Sequence, residues 1–591
     1  MPAVVQQKRQ SGPGRPVDPT AASLGRWARF RVRYLERSPS IIATVAMLLG
    51  LLTLLDAVWP DELFRVGFLV RILPVPGNAA ATAVVACAGL VLLRVAAGLR
   101  KRKRLAWRVA VVATVVLTVG HVLKGRRVGE ALFVLILLVL LITARSRFTA
   151  KSDPATRWVA VKIFFQFFAV AIVYGMAMLY FYPRMVVGDP SFWQRLQEVL
   201  YGLVGVDGEV KLKSERFDDI FHYTLFGFAL LTVVLVLILA LRPSEHISRL
   251  SADDEQRLRD LLEKQGYRDS LGYFALRRDK SVLWSPTGKA AITYRVVQGV
   301  ALASGDPIGD PEAWPGAIAA YREMVESYAW TPAVVGCSEL GAIVFRREYG
   351  LAAIELGDEA IVDVAEFSLD GRAMRGVRQA CTRVARSGYE VQVRRAKDID
   401  PVEFRELLAV ADAWRGAKTE RGFSMALSRL GDPSDPECVV TTAHSEGVLR
   451  GMLNFAPWGQ DGLSLDLMRR DRTADNGLNE YMITHLIQAG PQLGVRRVSL
   501  NFAVFRDAIE RGEKIGAGPI LRAWRSVLMF ASRWWQIESL YRFNVKFRPD
   551  WEPRFLSFPA TRDLPRIVIA ALEAEAFLVR PHFIGRLFGR S

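Results

Sequence analysis

Apolar positions follow two different rules along this chain. Up to about residue 242 they come in long unbroken runs: 41–59, 79–99, 105–123, 129–146, 158–182 and 219–241. Each run is long enough for a helix across a bilayer core, which takes about 20 residues. Between the last two, Phe192, Trp193, Leu196, Val199 and Leu200 recur at helical spacing. They predict an amphipathic helix lying in the membrane interface. Beyond residue 242 the runs shorten and alternate. Strands are predicted at 281–284, 291–295, 299–303 and 333–335, with a helix over 315–328. The order then partly recurs, with strands at 391–394, 438–442, 449–455, 462–468 and 498–502 and helices over 401–414 and 478–489. Two similar α/β units of about 130–170 residues, joined by a helix over Gly371–Ser387, fit this better than one large sheet.

Charge sharpens the division. The 591 residues hold 78 Lys+Arg and 60 Asp+Glu, a net of +18. Residues 1–250 hold 32 and 15, a net of +17, and the remainder holds 46 and 45, a net of +1. A wholly soluble enzyme and a mainly disordered chain are excluded, and a simple basic nucleic-acid-binding protein is disfavoured. Arg26, Arg29, Arg31, Arg33 and Arg37 precede the first run, residues 100–104 are all Lys or Arg, and Arg145, Arg147, Lys151 and Arg157 follow the fourth. The positive-inside rule puts these three segments in the cytoplasm, with Lys124, Arg126 and Arg127 as the exception. Six spans then return the chain to the cytoplasm. The expected layout is a basic cytoplasmic segment (1–40), a membrane domain (41–242), a first α/β unit with its linking helix (250–387), a second unit (388–562) and a basic amphipathic tail (563–591). No cleaved signal peptide is read at the N-terminus. Cys87, Cys337, Cys381 and Cys438 form no CxxC pair, so neither a zinc site nor a disulfide framework is expected.

Candidate chemistry lies in the second half. The linking helix carries Arg372, Arg375, Arg378, Arg383 and Arg386 and no acid. That suits a docking rail for a phosphate backbone, against the plainer reading of a solvated face. In Leu463–Arg470, strict alternation puts Asp466 with Met468 and Leu467 with Arg469. A carboxylate in an apolar strand needs a partner, for which Arg469 or Arg470 is at hand. The loop Arg472–Gly477 opens a helix and suits phosphate, a weak signal alone. Asn501 is polar inside an apolar run. The stretch Ser532–Arg554 interleaves Trp534, Trp535, Tyr541 and Trp551 with Arg542, Lys546 and Arg554. Such a mixture can stack on a base and hold phosphates, or the tryptophans can be core or interface anchors.

Several runs carry a resemblance to a known family: Asp269–Phe274, Ser304–Asp310, Met374–Arg378, Arg421–Ser424, Asp466–Arg469, Leu540–Phe543 and Lys546–Arg554. In this order they resemble the C-terminal domain of aminoacyl-phosphatidylglycerol synthases, the multiple peptide resistance factor family. Within it the chain is most similar to the membrane-plus-transferase half of actinobacterial bifunctional lysyl-phosphatidylglycerol synthase/lysyl-tRNA synthetases. The resemblance implies a polytopic α-helical membrane domain and a cytoplasmic α/β domain of two acyl-CoA N-acyltransferase-like units. It implies a multi-pass plasma-membrane enzyme that transfers an aminoacyl group, lysyl favoured, from tRNA to a hydroxyl of phosphatidylglycerol. That reaction changes membrane charge and resistance to cationic peptides. The donor ester is already activated and no GxxxxGK[ST] motif is present, so neither ATP, a cofactor nor a metal is expected. Asp466 is the first choice of general base, with Glu510 or Glu538 as alternatives. Arg469, Lys546 and Arg554 are candidates to stabilise the oxyanion or clamp phosphates. Tyr541 and Arg542 join the arginine helix as tRNA contacts, and Asp306, Asp310, Asn501, Trp534 and Trp535 are candidate substrate contacts. The sequence ends at residue 591 without a fused synthetase, so a separate synthetase is expected to supply the aminoacyl-tRNA. Self-association and flipping of the product lipid are left open. Three readings compete with lysyl transfer to phosphatidylglycerol: alanyl transfer, a diacylglycerol acceptor, and a lipid transporter or scaffold with a degenerate transferase domain. An acyl-CoA enzyme is disfavoured because Arg472–Gly477 lacks the Q/RxxGxG/A spacing.

Overall fold

The computed structural model describes residues 38–53, 78–100, 102–124, 128–150, 154–206, 208–240, 248–415, 422–504 and 537–578. The chain forms two compact units, one of residues 1–244 and one of most of residues 245–582.

The first unit is helical: α1 (Ser38–Thr53), α2 (Asn78–Arg100), α3 (Arg104–Lys124), α4 (Val128–Thr143), α5 (Pro154–Phe181), α6 (Phe192–Val204) and α7 (Glu215–Ala240). Small residues let α1 and α2 touch. A Cβ on Gly50 would lie 2.6 Å from the Gly89 carbonyl oxygen. Leu92, Leu99, Ala110, Leu117 and Leu141 form the core of α2–α4, and Leu179, Val199, Phe221 and Leu225 that of α5–α7. Among the described residues, Val161–Phe181 and Phe217–Leu237 are helical stretches long and apolar enough to cross a membrane. Their outer faces are apolar too, with Val173 67% and Phe181 81% exposed. The predicted amphipathic helix is α6. A capping box of Ser191 and Gln194 starts it, and Phe192 and Trp193 are exposed. On its inner face the buried Glu198 accepts from the Gly208 and Val210 amides at 3.1 and 3.0 Å.

The second unit is built on one twelve-stranded sheet. In chain order it runs α8 (Ala252–Gln265), β1 (Ser281–Trp284), β2 (Ala290–Val297), β3 (Val300–Ser304), β4 (Ile308–Gly309), α9 (Trp314–Tyr328), β5 (Thr331–Cys337), α10 (Glu339–Tyr349) and β6 (Ala352–Asp363). It continues with α11 (Arg375–Arg386), β7 (Tyr389–Arg395), α12 (Pro401–Arg415), β8 (Val439–Ser445), β9 (Val448–Trp458), β10 (Gly462–Arg470), α13 (Leu478–Ala489) and β11 (Arg497–Val504). It closes with α14 (Ile537–Val545), β12 (Asp550–Phe558) and α15 (Leu564–Ala574). The strand order is β1-β2-β3-β5-β12-β6-β11-β10-β9-β8-β7, with β4 beside β2.

The recurrence read in the sequence is visible as two half-sheets, but the preference for two units over one large sheet is corrected: the halves are joined edge to edge in a single sheet because β6 and β12 pair with each other. β1–β2–β3 is an antiparallel meander, α9 crosses back, and β5 lies parallel to β3. β8–β9–β10, α13 and β11 repeat the pattern. The last strand of each half crosses into the other: β12 pairs with β5 and β6 with β11. β6 and β12 also pair with each other, from Asp550 opposite Ile361 to Phe558 opposite Ala352. Neither half-sheet is complete without a strand from the other. The linking helix is shorter than expected, starting at Arg375 and leaving Arg372 in the preceding turn. The opening of the tail read from the sequence has a core role: α15 buries Ile567, Ala570 and Ala574 against Val300, Leu302 and Val335 of the first half.

Where β6 and β12 meet lies a buried ionic cluster. Arg554 of β12 is 3% exposed and Glu359 of β6 0%. The Arg554 Nε donates to Glu359 at 2.8 Å, one terminal nitrogen to Asp269 at 2.8 Å and the Gly336 carbonyl at 3.5 Å, and the other to Ser270 at 2.7 Å and to Glu359. Glu359 also accepts from Ser270 at 2.5 Å and from Ser499 of β11. A guanidinium has five N–H donors, and all five are committed here. Arg554, expected at the chemistry, is therefore corrected to the keystone of the sheet, with no donor left for a substrate. Removing one partner of a buried pair leaves an uncompensated charge and costs roughly 3–5 kcal/mol. Arg554→Met is accordingly expected to lower the unfolding free energy of the detergent-solubilised protein by about that amount, read from denaturant titration. A loss below about 1 kcal/mol would contradict the keystone role.

Candidate active site

The two halves differ at their parallel joints. β3 and β5 stay paired along the whole of β3, from Val300 to Ser304. β10 and β11 pair only over Gly462–Ser464 against Arg497–Ser499 and then part into a fork. Both strands carry an irregularity at the parting, between Leu465 and Leu467 in β10 and between Ser499 and Phe502 in β11. Bulges of this kind re-aim side chains and recur beside active sites. Asn501 sits in the β11 irregularity at φ +66°, a conformation asparagine tolerates better than most residues. Its amide donates across the fork to the Leu465 carbonyl, and Asn544 donates to the Leu500 carbonyl at 3.4 Å. In the first half the matching place is filled. Asp306, just beyond β3, accepts from the Ser338 amide at 2.8 Å and its hydroxyl at 2.5 Å, at the start of α10. A Cβ on Gly341 would lie 2.0 Å from that carboxylate.

The bulge changes what Asp466 faces. Leu465 and Met468 both pack in the core under α13, so the two residues between them point the other way. Arg469 then shares their face, where it reaches Asp412 of α12 at 2.7 Å. Alternation predicts Asp466 beside Met468; the extra residue puts it beside Arg469 instead. The Asp466 carboxylate accepts from Asn454 at 2.8 Å and from the Leu427 backbone amide at 2.6 Å. The amide oxygens of Asn454, Asn501 and Asn544 are buried and accept from no described residue. Among the described residues the fork thus presents three buried acceptors without a donor, which suits a ligand bearing hydroxyl or ammonium groups.

The other expected residues are spread out. Lys546 pairs with Glu480, in the first turn of α13, at 2.8 Å, across the sheet from Arg469. Asp310 caps a short helical turn, accepting from the Glu312 amide at 3.0 Å. Asp306 is sealed at α10. Tyr541 lies against Trp551 with ring centroids 5.5 Å apart, and Arg542 is exposed on α14. Glu538 is also in α14, while Glu510, Trp534 and Trp535 lie outside the described residues. On α11, Arg375 and Arg386 are exposed, as is Arg372 before it. Arg378 turns back onto the Leu369 and Gly371 carbonyls, and Arg383 holds the Asn476 carbonyl at 2.9 Å. Gly477 is explained by packing: it adopts φ +102°, and a Cβ there would come within 2.9 Å of Ala380. The reading of the sequence missed Asn454, Asn544 and Leu427. Asn454 carries the signal that singled out Asn501, a polar residue inside an apolar strand; a backbone amide carries none. Two open cavities of about 900 and 490 Å³ lie at the other end of β10, around Gly459 and Gln460, and share no residue with the fork.

The family described as phosphatidylglycerol lysyltransferase, C-terminal, matches residues 259–558, from within α8 to the last residue of β12. The chain belongs to this family. Both half-sheets of the phosphatidylglycerol lysyltransferase region, and the fork, fall inside the match; α15 lies beyond it. A second family, the transmembrane region of lysyl-tRNA synthetase, matches residues 34–238. Among curated relatives, the lysylphosphatidylglycerol biosynthesis bifunctional protein LysX of Rhodococcus opacus (strain B4) is 44% identical over 84% of this chain and 45% of its own length. That of Nocardia farcinica (strain IFM 10152) is 44% identical over 83% and 44%. The chain therefore spans less than half the length of these relatives. A solved structure, L-PGS from Bacillus licheniformis, aligns with 57% of this chain and 100% of its own at 23% identity and a TM-score of 0.49.

The sealed joint of the first half has a measurable signature. Burial, and then the Asp269 charge, push the Asp306 carboxyl up to about 6 from its ordinary 3.8. The folded protein thus holds this proton more tightly than the unfolded chain. Its contribution to stability is fully present below pH 3.8 and is lost as the pH rises through about 6. Thermal midpoints measured across this window should fall less steeply with pH for Asp306→Asn than for the wild type; parallel curves would refute the assignment.

Proposed function

We propose that this chain transfers a lysyl group from lysyl-tRNA to a hydroxyl of phosphatidylglycerol on the cytoplasmic leaflet of the cell membrane. The observation that carries the chemistry is the fork between β10 and β11, with Asp466 accepting from Leu427 and Asn454 on the face that also bears Arg469. Family membership and the names of the relatives support the substrate classes. The basic segments before, between and after the apolar runs support six spans with the α/β unit in the cytoplasm.

In the proposed reaction a glycerol hydroxyl of the lipid gives its proton to Asp466 while its oxygen attacks the aminoacyl ester carbon. The tetrahedral oxyanion collapses, the bond to the terminal ribose oxygen of the tRNA breaks, and that oxygen takes the proton back from Asp466. One ester replaces another, so no nucleotide is consumed. Arg469 suits the lipid phosphate or the developing oxyanion. The Asn454, Asn501 and Asn544 oxygens suit the ammonium groups of a lysyl donor. Arg372, Arg375 and Arg386 offer exposed cations to the tRNA backbone. The lipid changes from a charge of −1 to about +1, because a lysyl ester carries two ammonium groups near neutral pH. That weakens attraction of cationic peptides to the membrane.

The test is incubation of membranes containing the protein with labelled Lys-tRNA or Ala-tRNA and phosphatidylglycerol. RNase-sensitive label should enter the lipid from Lys-tRNA. Asp466→Asn should lower the rate by about 10²–10⁴-fold, the range a positioned general base supplies. Label from Ala-tRNA alone would shift the donor to alanine, and no label from any charged tRNA would sink the reading.

A further inference from the structure

The Leu427 amide that holds Asp466 belongs to a short strap, residues 422–428, with little regular structure of its own. The strap is buried: Phe423 and Ser424 are 0% exposed and Leu427 2%. Its attachments come from far along the chain. Glu575, just past α15 and 8% exposed, accepts from the Phe423 amide at 2.6 Å, the Ser424 amide at 3.1 Å and the Ser424 hydroxyl at 2.5 Å. The Gly422 amide donates to the Glu575 carbonyl at 3.3 Å. Arg277, ahead of β1, donates to the Gly422 carbonyl, to the Ala426 carbonyl at 3.2 Å and to the Ser428 hydroxyl at 2.6 Å. Lys280 lies fully buried with its ammonium 4.7 Å from the centre of the Phe423 ring. Phe423 packs in the core under α15, and Leu427 in the core under α8. The polar anchors of the strap thus come from segments of the first half and from Glu575 beyond α15, while its hydrogen bond to β10, among the described residues, goes to Asp466.

We infer that Glu575 and Arg277 are positioning residues for the general base: they hold the strap so that the Leu427 amide fixes the Asp466 carboxylate against the acceptor hydroxyl. This rests on the lysyl-transfer reading for its chemical consequence and on geometry alone for the anchoring. A carboxylate that accepts an amide on one oxygen and Asn454 on the other has one orientation, and small displacements of a catalytic group cost about 10²-fold in rate. Glu575 lies outside the family-matched region, so neither the family match nor the fork's own residues point to it.

Two measurements on the full-length protein in detergent decide it, using Glu575→Gln, which keeps the shape but loses the charge, and Ser424→Ala, which removes only the hydroxyl bond. The first is amide hydrogen exchange over residues 422–428. It should rise by at least about tenfold in Glu575→Gln and by less in Ser424→Ala, as a local opening. The second is the rate of lipid labelling. Glu575→Gln should lower kcat by about 10²-fold, with KM for both substrates within about twofold, and should cost nothing further in an Asp466→Asn background. Unchanged exchange in both variants would overturn the anchoring. A KM effect without a kcat effect, or losses that multiply with Asp466→Asn, would overturn the positioning role. If the wild type labels no lipid, the transfer reading falls, and the exchange measurement still decides the anchoring.

Discussion

The α/β unit depends on one buried guanidinium. Arg554 and Glu359 sit on the two central strands, each the last strand of its own half-sheet and each paired into the other half. Burying an isolated charge is prohibitive, so the pair survives only because all five donors of Arg554 are matched and Glu359 also accepts two serine hydroxyls. Those partners come from four separate stretches: Asp269 and Ser270 before β1, Gly336 in β5, Glu359 in β6 and Ser499 in β11. Satisfying one side chain therefore fixes the register of β12, β6, β5 and β11 together. The arrangement also sets where the fork begins, because Ser464, the last β10 residue paired with β11, donates to the Ser270 carbonyl at 2.7 Å.

From that frame the two halves diverge in use. Both repeat a meander, a crossover helix and a parallel joint, and in one the joint is closed by its own carboxylate. Asp306 occupies the start of α10, where free amides would otherwise suit an anion. In the other half the strands part beyond Ser464 and Ser499, and three asparagine oxygens are left without a donor among the described residues. The recurring halves thus differ at this joint, and the proposed chemistry falls in the second. In that proposal the first half lends the second the strap that holds Asp466.

The pattern of apolar residues revealed most of the periphery and little of the centre. The meanders were legible as short apolar runs, since β2, β3 and β5 are buried on both faces, and the crossover helices as amphipathic ones with one buried face. The two central strands were not. β6 reads Ala-Ala-Ile-Glu-Leu-Gly-Asp-Glu-Ala-Ile-Val-Asp, and its acids break the alternation for a reason that lies in other strands. β12 contains Pro553, which argues against a central strand. Proline is tolerated there because β12 is paired on one side only, its pairing with β5 beginning at Phe555. The same stretch reads as able to stack on a base and hold phosphates because Arg554 looks like a ligand group until Glu359 is known to face it. Asp466 was legible as a polar residue in an apolar strand. Its orientation was not, because a bulge is one extra residue that leaves no compositional trace.

The strap also bears on why a proposed ester exchange should be built this way. An aminoacyl ester needs no further activation, so the difficulty is selectivity: water is a competing nucleophile at far higher concentration than any lipid hydroxyl. A base exposed on a loop would activate water as readily as the intended acceptor. The proposed base, Asp466, lies at a strand bulge, and one of its oxygens is held by the Leu427 amide, from a segment anchored in the other half. Holding both oxygens, one by the Leu427 amide and the other by Asn454, fixes the plane of the carboxylate toward which a hydroxyl must approach. The anchoring of the strap by Glu575, Arg277 and Phe423 is costly in buried polar groups, each of which has to be matched. Such an arrangement is expected where the orientation of one carboxylate decides which nucleophile receives the acyl group.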